Sequence, residues 1–425
     1  MAGSKTLVVC SIDLGTTYSG YAFSFKADYE HDPQNVLMNS WRGGKTLSEK
    51  APTSVLLDPK QTFHSFGYEA ENKYTELAEN DEHHDWYYFN RFKMILHVKK
   101  AGIPGEQLTL ALEPESASIF CQKIPSSKFV DQATSGSTFI EPGKRYVVLD
   151  LGGGTADITV HKIGFLGDIH ELRSASGGAW GGTRVDEEFR QFIVSFVGQD
   201  VWTEFMHKQM YDYLDMFREF ETRKKTISTE TSKRVIVRMP ISLTDILKKK
   251  SNTTMQKALE KAGYKDKVES KGDKLFVNAD LFKSFFSSAV DSIVSHLKDI
   301  FQDPASEDPP LVLMVGGFSN SKFVQERLKA AFPSKKFVVP LDAGLAVLKG
   351  SKTYSISFHK PYIPGFHLQS KITVIDSDQY FHPQRGWPSE IDGKVVMEFG
   401  KTEFRVTVYD ETNKREFESY FDLLK

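Results

Sequence analysis

The sequence predicts an α/β protein in which one strand–turn–strand unit occurs twice. Val8 to Phe25 is VVCSIDLGTTYSGYAFSF, and Tyr146 to Ile163 is YVVLDLGGGTADITVHKI. Each segment is an apolar strand that ends in Asp-Leu-Gly, turns through small or hydroxylated residues, and continues as a second strand. The aspartates Asp13 and Asp150 are 137 positions apart (150 minus 13). This separation predicts two similar lobes that face one ligand.

Both turns have the composition of a phosphate-binding turn. Glycine lets the main chain approach an anion, and consecutive backbone N–H groups and a threonine hydroxyl can then point at it. The predicted phosphate-binding residues are Gly15, Thr16, Thr17, Tyr18, Gly152, Gly153, Gly154 and Thr155. Asp13 and Asp150 are predicted to position a Mg²⁺ ion, since that cation prefers oxygen ligands and keeps several waters. Asp157 either assists at the metal or stabilises the turn as an ordinary Asx residue.

A third element lies near the C-terminus, where Leu311 to Phe318 is LVLMVGGF. The apolar run has the length and β-branched content of a buried strand, and Ser321 to Phe332 has helical spacing. Gly316 and Gly317 let a flat group approach the backbone. Strand, glycine turn and helix together predict a floor for an adenosine.

These three motifs, in this order, resemble the ATPase domain shared by actin, the sugar kinases and the 70 kDa heat-shock chaperones. Ala111 to Ser118 (ALEPESAS) resembles the chaperones' Asn-Glu-Pro-Thr-Ala-Ala segment, and Phe220 to Ser228 (FETRKKTIS) resembles their adenosine-contacting helix. Segments such as FHSFGYEA and ASGGAWGG are most similar to the heat shock 70 kDa protein 12 family. The resemblance implies duplicated actin-like, ribonuclease H-like lobes with a short β-rich C-terminal tail, binding ATP or ADP with Mg²⁺.

The resemblance also implies roles for individual residues. Glu113 would orient the attacking water or bind metal, and with Asp13 and Asp150 it forms the implied catalytic set. The alternative for Glu113 is a structural glutamate at the end of a strand. Without the motif, the charged helix segment around Glu221 would be taken as a solvated surface. The remaining implied nucleotide contacts are Gly181, Gly182, Glu221, Lys224, Lys225, Ser228, Gly316, Gly317 and Asp342.

Several positions depart from the family pattern. Glu71 stands where the chaperones have a catalytic lysine, and a carboxylate there removes charge stabilisation from phosphoryl transfer. Asn320 replaces an adenine-stacking arginine, and Phe318 replaces a serine. Between Met94 and Leu112 the chain is too short for the strand and helix that the family has there. We therefore expect nucleotide binding with slow or absent hydrolysis, and a first lobe that is rearranged or unstable.

The pattern along the chain predicts four segments. An incomplete first ATPase lobe covers residues 6–125, a flexible Ser/Gly/Thr-rich connection 126–143, the second lobe 144–350, and a β-rich remnant 351–425. In the second lobe, helices are predicted at 183–198, 201–227 and 279–301, and strands at 234–240 and 311–315. In the remnant, ITVID, KVVMEF and EFRVTVYD are predicted strands. They are too few for a full peptide-binding domain.

Composition narrows the class of protein. The chain has 425 residues and a net charge of −2, which gives no electrostatic reason to expect nucleic acid or an acidic membrane as partner. Cys10 and Cys121 lie in apolar segments and are expected to be buried thiols in a reducing compartment. No signal peptide and no run of ~18 apolar residues is present, so we expect no membrane span and a cytoplasmic or also nuclear location.

Other motifs are rejected, and three functions stay open. Gly44-Lys45-Thr46 lacks the first glycine of a Walker loop. His83 and His84 are adjacent and expected to point apart, which favours a solvated loop over a metal site. The aromatic residues of Trp86 to Phe92 have helical spacing, which predicts a core helix and not a ligand cage. The leading function is an ATP-binding, chaperone-like protein with unspecified protein partners or co-chaperones. The alternatives are a non-catalytic nucleotide sensor or truncated isoform, and a small-molecule kinase of the same fold.

Overall fold

The structure is a computed structural model that describes residues 8–25, 28, 31–32, 35–43, 46–95, 111–130, 141–165, 167–357, 393–399, 403–410 and 415–422. Its strands are β1 (Val8–Leu14), β2 (Tyr18–Phe25), β3 (Leu37–Met38), β4 (Trp41–Gly43), β5 (Thr46–Ser48), β6 (Ala51–Pro52), β7 (Ser54–Leu57), β8 (Phe63–Phe66), β9 (Tyr87–Asn90), β10 (Arg145–Leu151), β11 (Ala156–Ile163), β12 (Ile169–Gly178), β13 (Val235–Arg238), β14 (Val268–Lys271), β15 (Lys274–Val277), β16 (Leu311–Val315), β17 (Lys336–Val338), β18 (Gly393–Phe399), β19 (Glu403–Asp410) and β20 (Arg415–Asp422).

Its α-helices are α1 (Tyr68–Glu79), α2 (Glu113–Lys123), α3 (Gly182–Val197), α4 (Gln199–Lys208), α5 (Met210–Thr226), α6 (Ile241–Ser251), α7 (Met255–Lys261), α8 (Ala279–Ser284), α9 (Ser287–Gln302), α10 (Lys322–Ala331) and α11 (Ala346–Ser357). The predicted α/β fold class is confirmed by these elements and their pairing. The chain divides into two compact units. The first comprises residues 1–74, 83–123 and 347–425, and the second 75–82 and 124–346. The four predicted segments stay a prediction.

The second unit is built on a sheet whose described strands lie in the order β12-β11-β10-β16-β17. β10 is central: it pairs with β11 in antiparallel fashion and with β16 in parallel. The two neighbouring strands of β10 are themselves largely buried: β11 is mostly buried, and β16 (Leu311–Val315) is buried along its whole length. Helices α3 and α9 pack their apolar faces on this sheet through residues such as Phe189 and Ile293. A strand buried on both faces and both edges gives the turn after β10 a rigid base.

In the first unit the corresponding sheet is smaller. β1 pairs with β2, and β2 pairs further with β3 and β6. Among the described strands, none pairs with the other edge of β1. Ile12 and Leu14 near the end of β1 are 49% and 38% exposed. Residues 96–110 lie outside the described residues.

Most elements predicted for the second unit are found. β16 covers the residues predicted, and α3 and α10 agree with the predicted helices to within two residues. The helix predicted at 201–227 is two helices, α4 and α5, which meet at Gln209. The helix predicted at 279–301 is likewise divided into α8 and α9. The apolar periodicity identified the buried faces of these helices. A short interruption of a helix leaves that periodicity unchanged, so it could not be predicted from the pattern.

Two predictions for the first unit were wrong. The aromatic segment expected to form a core helix contains the strand β9, in which Tyr87 and Phe89 are 42% and 43% exposed. Aromatic residues favour strands as well as cores, and here pairing with β7 decides the structure. His83 and His84 do not point apart, since their ring centroids are 4.3 Å from each other. His83 is buried and packs edge-on against Tyr74, so it is not part of a fully solvated loop.

The C-terminal tail contains the antiparallel sheet β18-β19-β20. The predicted strands KVVMEF and EFRVTVYD correspond to β18 and β19. β20 (Arg415–Asp422) was not predicted, because its alternation of charged and aromatic residues is weaker. The predicted strand ITVID lies outside the described residues. Among the described helices, none is long and apolar enough to cross a membrane.

Candidate nucleotide-binding turns

The two predicted hairpins have the same geometry. In the first, Asp13 lies opposite Gly20 and Leu14 opposite Ser19. In the second, Asp150 lies opposite Asp157 and Leu151 opposite Ala156. Each hairpin has seven paired positions on each strand and turns through the four residues between its innermost pair. The repetition seen in the sequence is therefore a repetition of backbone structure, at equivalent positions.

The second turn is held by the start of α3. The amides of Gly181, Gly182 and Thr183 donate hydrogen bonds to the carbonyl oxygens of Gly154, Gly152 and Gly153 at 3.3, 3.2 and 2.7 Å. A Cβ atom at Gly181 would lie 2.6 Å from the Gly153 carbonyl oxygen, so only glycine fits there. These bonds fix the carbonyl side of the turn against the helix terminus.

The amide side of the same turn is left available for a ligand. Within the described part of the chain, the amides of Gly153 and Gly154 donate no hydrogen bond to protein. Successive glycine amides whose carbonyls are tied elsewhere have the donor arrangement that binds a phosphate oxygen. Thr155 donates its hydroxyl to Asp157 at 2.9 Å, which orients the carboxylate next to the turn.

Two aspartates lie side by side beneath this turn. Asp150 at the end of β10 is 3% exposed, and Asp157 faces it across the strand pair. Gly316 follows β16 with φ of 83°, and a Cβ there would collide with the Asp150 carboxylate and the Leu151 carbonyl. Two neighbouring carboxylates and a close glycine turn fit the hard-oxygen surroundings that Mg²⁺ prefers. The metal roles of both aspartates stay a prediction.

Lys224 of α5 supports the helix terminus from below. Its ammonium group lies 2.7 Å from Asp186 Oδ1 and 2.5 Å from Glu221 Oε2, and donates to the Gly182 carbonyl at 3.3 Å. Burial, the largest influence, would lower the pKa of Lys224, but Asp186 and Glu221 outweigh it and the pKa is raised. Lys224 is thus charged and holds α3 to α5.

Glu221 and Lys225 extend this charged cluster towards the solvent. Burial alone would raise the pKa of Glu221, yet the ammonium groups of Lys224 and Lys225 outweigh it and the pKa is lowered. The Lys225 side chain is 61% exposed and 3.4 Å from Glu221 Oε1. Glu221, Lys224 and Lys225 are the three residues of this helix that were implied as nucleotide contacts. Lys224 is enclosed by protein, whereas Lys225 is open to a ligand. The contacts themselves stay a prediction.

The glycine turn after β16 packs beside the same helix terminus. Phe318 is 7% exposed, stacks with Phe286, and lies close enough to Gly182 for a Cβ there to touch its ring. The Gly316 amide donates to the Ala343 carbonyl at 2.9 Å, which places the segment that starts at Asp342 next to the turn. Ser228 follows α5 and is hydrogen-bonded to Thr231. The second unit therefore brings most of its predicted residues into one region.

The first turn is held by a side chain instead of a helix terminus. Thr53 is fully buried, and its hydroxyl donates to the Gly15 carbonyl at 2.7 Å and contacts the Ser19 hydroxyl at 2.8 Å. The Thr53 amide donates to the Thr17 carbonyl at 2.9 Å. Thr53, the residue that follows β6, thus holds two carbonyls of the first turn. The equivalent carbonyls of the second turn, those of Gly152 and Gly154, are held by amides at the start of α3.

Asp13 at the first turn is ion-paired with Lys50. The Lys50 ammonium lies 2.6 Å from Asp13 Oδ2, and the two side chains are 18% and 9% exposed. A pair this well shielded interacts more strongly than a surface pair. Asp13 was predicted from the sequence as a Mg²⁺ residue, and a cationic side chain contacts its carboxylate.

Two glutamates with predicted effects on hydrolysis also belong to the first unit: Glu113, predicted to be catalytic, and Glu71, predicted to replace a catalytic lysine. Glu71 lies in the first turn of α1. Its carboxylate accepts a hydrogen bond from the Ser54 hydroxyl at 3.5 Å, and Ser54 follows Thr53 in the sequence. Glu113 begins α2, with its side chain 44% exposed and 3.3 Å from Lys93 Nζ. Glu113 therefore starts a helix, and the alternative of a glutamate at the end of a strand was wrong.

Three residues that organise the turns were missed in the sequence. Thr53, Lys50 and Asp186 lie 38, 37 and 38 positions from the residues they contact. None belongs to a recognised motif, and a single charge or hydroxyl between short strands carries no periodic signal. The sole hint was the position of Thr53 and Lys50 beside Pro52 and ahead of the apolar run of β7.

No protein-family model matches the chain. It is similar to heat shock 70 kDa protein 12A of Homo sapiens and of Mus musculus, each 28% identical, covering 88% of this chain and 75% of the relative. Heat shock 70 kDa protein 12B of Homo sapiens is 27% identical, over 88% of this chain and 74% of the relative. These relatives confirm the resemblance to the heat shock 70 kDa protein 12 family.

The alignment with the human 12A protein spans 513 positions, whereas this chain has 425 residues. At least 88 aligned positions (513 minus 425) therefore have no counterpart here. Among solved structures, the chain is similar to MreB5 of Spiroplasma citri bound to ADP, with a TM-score of 0.48 and 14% identity, covering 83% of this chain and 97% of that one.

Proposed function

We propose that this protein binds ATP or ADP together with Mg²⁺ and acts as a chaperone-like protein of the heat shock 70 kDa type, with slow or absent hydrolysis. The observation that carries the proposal is the pair of equivalent turns, each with its carbonyls tied to neighbouring elements. Similarity to the heat shock 70 kDa protein 12 relatives supports the same reading.

The residues of the second unit fit a nucleotide with its metal. Gly153 and Gly154 offer two unengaged amides, and Thr155 and Thr183 flank them. Asp150 and Asp157 would hold Mg²⁺, which when bound neutralises phosphate charge. Glu221 and the exposed Lys225 would contact the ribose and the base. Lys224 would keep the start of α3 in place, so that the turn keeps its shape when an anion arrives.

The first prediction is a thermal shift caused by nucleotide. A ligand that binds the native state alone raises its stability by about 2.7 kcal/mol at a hundredfold excess over Kd. ATP or ADP with Mg²⁺ should therefore raise the melting temperature in differential scanning fluorimetry, and isothermal titration should give the affinity. Folded protein that shows neither a shift nor heat of binding would contradict the proposal.

A pair of variants connects that shift to the second turn. Asp150→Asn removes the buried charge while keeping the shape of the side chain, and should weaken Mg-ATP binding by about tenfold or more. Asp280→Asn is the control, because the Asp280 side chain in the same unit is 89% exposed. An equal effect of both substitutions on affinity would show that the second turn does not bind the ligand.

A second candidate function is a nucleotide sensor without catalysis, which the carboxylate of Glu71 near Ser54 favours.

The second prediction is that hydrolysis is slow or undetectable and that Glu71→Lys raises it by about 10²-fold, because an ammonium stabilises charge at a transferred phosphoryl group. Phosphate release under single-turnover conditions measures this rate. Rapid wild-type turnover, or a further fall in Glu71→Lys, would disprove the role of position 71; Glu76→Lys, later on the same helix, is the matched control.

A further inference from the structure

The two turns differ in the group that faces the strand-end aspartate. In the second unit the residue opposite Asp150 is another carboxylate, Asp157. In the first unit the residue opposite Asp13 is Gly20, and the charged neighbour of Asp13 is Lys50. One turn therefore pairs two anionic groups, whereas the other pairs an anion with a cation.

The place of Lys50 is built into the first hairpin. A Cβ on Gly20 would lie 3.0 Å from Lys50 Cγ and 3.0 Å from the Glu49 carbonyl oxygen, so the stem of Lys50 crosses the strand where a side chain is absent. β6 pairs with β2 immediately after Lys50, through Ala51 opposite Ser19. Strand pairing on one side and the missing Cβ on the other direct the ammonium to the turn.

The charge at the first turn has consequences for an anionic ligand. An isolated Asp13 carboxylate would repel a phosphate group, but with Lys50 at 2.6 Å the pair is close to neutral. The Lys50 ammonium has three donors, and one bond to Asp13 leaves others for a second oxygen. In the first turn of α1, by contrast, Glu71 brings a negative charge near Ser54.

We propose that Lys50 binds the phosphate groups of the nucleotide at the first turn and supplies there the positive charge that Glu71 cannot supply. This inference rests on the proposed function. In the second unit, Asp150 and Asp157 suit a metal ion. In the first unit, Asp13 with Lys50 suits a phosphate oxygen. Lys50 is a phosphate-binding residue in this scheme, and Asp13 positions it.

The test compares nucleotides with and without phosphate groups. Lys50→Met keeps the length of the stem and removes the charge; it should lower the affinity for ATP and ADP about tenfold or more, the range of a charge-assisted hydrogen bond. Adenosine affinity should stay within about twofold of wild type, as adenosine has no phosphate for Lys50 to bind. Lys50→Arg should restore most of the ATP affinity, and Lys60→Met, at an exposed turn of the same unit, should change nothing.

Each outcome of this titration decides one question. If the wild-type chain binds neither ATP, ADP nor adenosine, the proposed function fails and the role of Lys50 fails with it. If the wild type binds ATP and Lys50→Met binds it equally well, only the role of Lys50 is overturned. Equal losses for ATP and adenosine would show that Lys50 only stabilises the first unit, and would also overturn its role.

A second pair of variants keeps the test decisive if Lys50→Met does not fold, since that substitution leaves Asp13 buried without its cation. Asp13→Asn and the double variant Asp13→Asn/Lys50→Met both remove this problem. ATP titrations in EDTA exclude any effect of Asp13 through a metal. Asp13→Asn then gives the reference ATP affinity, and the double variant should bind ATP about tenfold more weakly than this reference. Equal affinities of the two variants would overturn the proposal.

Discussion

The hairpin β1-β2 and the hairpin β10-β11 have the same register and the same turn length, yet they lie in different surroundings. β10 has paired neighbours on both edges, whereas β1 has a described neighbour on one edge only. Leu149 in β10 is fully buried, and the equivalent Ile12 in β1 is 49% exposed. The two hairpins therefore share a backbone geometry but differ in how deeply their side chains are buried.

The turns show the same contrast. α3 holds the second turn through three backbone amides, and Thr53 holds the first with one hydroxyl and one amide. Backbone contacts are insensitive to side-chain substitution, whereas a single buried threonine is not. The same turn shape can thus be supported in two ways, and the less redundant support occurs in the first unit.

The third prediction has the largest expected effect and compares equivalent positions of β10 and β1. Leu149→Ala should lower the free energy of unfolding by about 2–5 kcal/mol, because it leaves a cavity in a packed core. Ile12→Ala should cost less than about 1 kcal/mol, since half of that side chain is already in contact with water. Equilibrium urea unfolding measures both. If Ile12→Ala is as costly as Leu149→Ala, the Ile12 side chain is packed as tightly as that of Leu149, and the contrast between the hairpins does not hold.

The fourth prediction concerns His161, whose equivalent in the first hairpin is the non-titrating Ser24. His161 is fully buried beside Tyr146 and Thr159, and burial lowers its pKa from 6.5 to about 4. Between these two values the unfolded chain binds a proton that the folded chain does not, so stability is lost as the pH falls from 6.5 towards 4. The expected loss is about 3 kcal/mol.

Urea unfolding at several pH values tests this difference between the hairpins. His161→Leu should flatten the pH dependence across that interval, because leucine takes up no proton in either state. His170→Leu is the control, as the His170 side chain is 59% exposed. If the slope of stability against pH is the same in His161→Leu and in the wild type, another group is responsible for it.

The hairpins and β16 were predicted from the sequence because each carries its signal locally. Asp-Leu-Gly after an apolar run specifies strand and turn together, and both copies fold as predicted. The residues that hold the turns could not be predicted, since Thr53, Lys50 and Asp186 act on partners far away in the chain. Lys224 illustrates the same limit. Its helix segment has the charge pattern of a solvent-exposed surface. Lys224 is nevertheless buried, and Asp186 of another helix supplies the opposite charge that makes this burial possible.

The fifth prediction has the smallest expected effect and compares the two supports of the turns. Thr53→Val replaces the buried hydroxyl by a methyl group, which leaves the Gly15 carbonyl without that donor and should cost about 1–3 kcal/mol. Thr183→Val should change stability by less than about 0.5 kcal/mol, because Thr183 holds the second turn through its backbone amide, which valine retains. Urea unfolding of both variants gives the two values. Hydrogen exchange at the amides of residues 53 and 183, which donate to the carbonyls of Thr17 and Gly153, locates the effect. Faster exchange confined to the first turn in Thr53→Val would show that its support depends on one side chain. A loss of stability in Thr183→Val as large as that in Thr53→Val would instead mean that both turns depend on side chains, and the contrast between the two units would not hold.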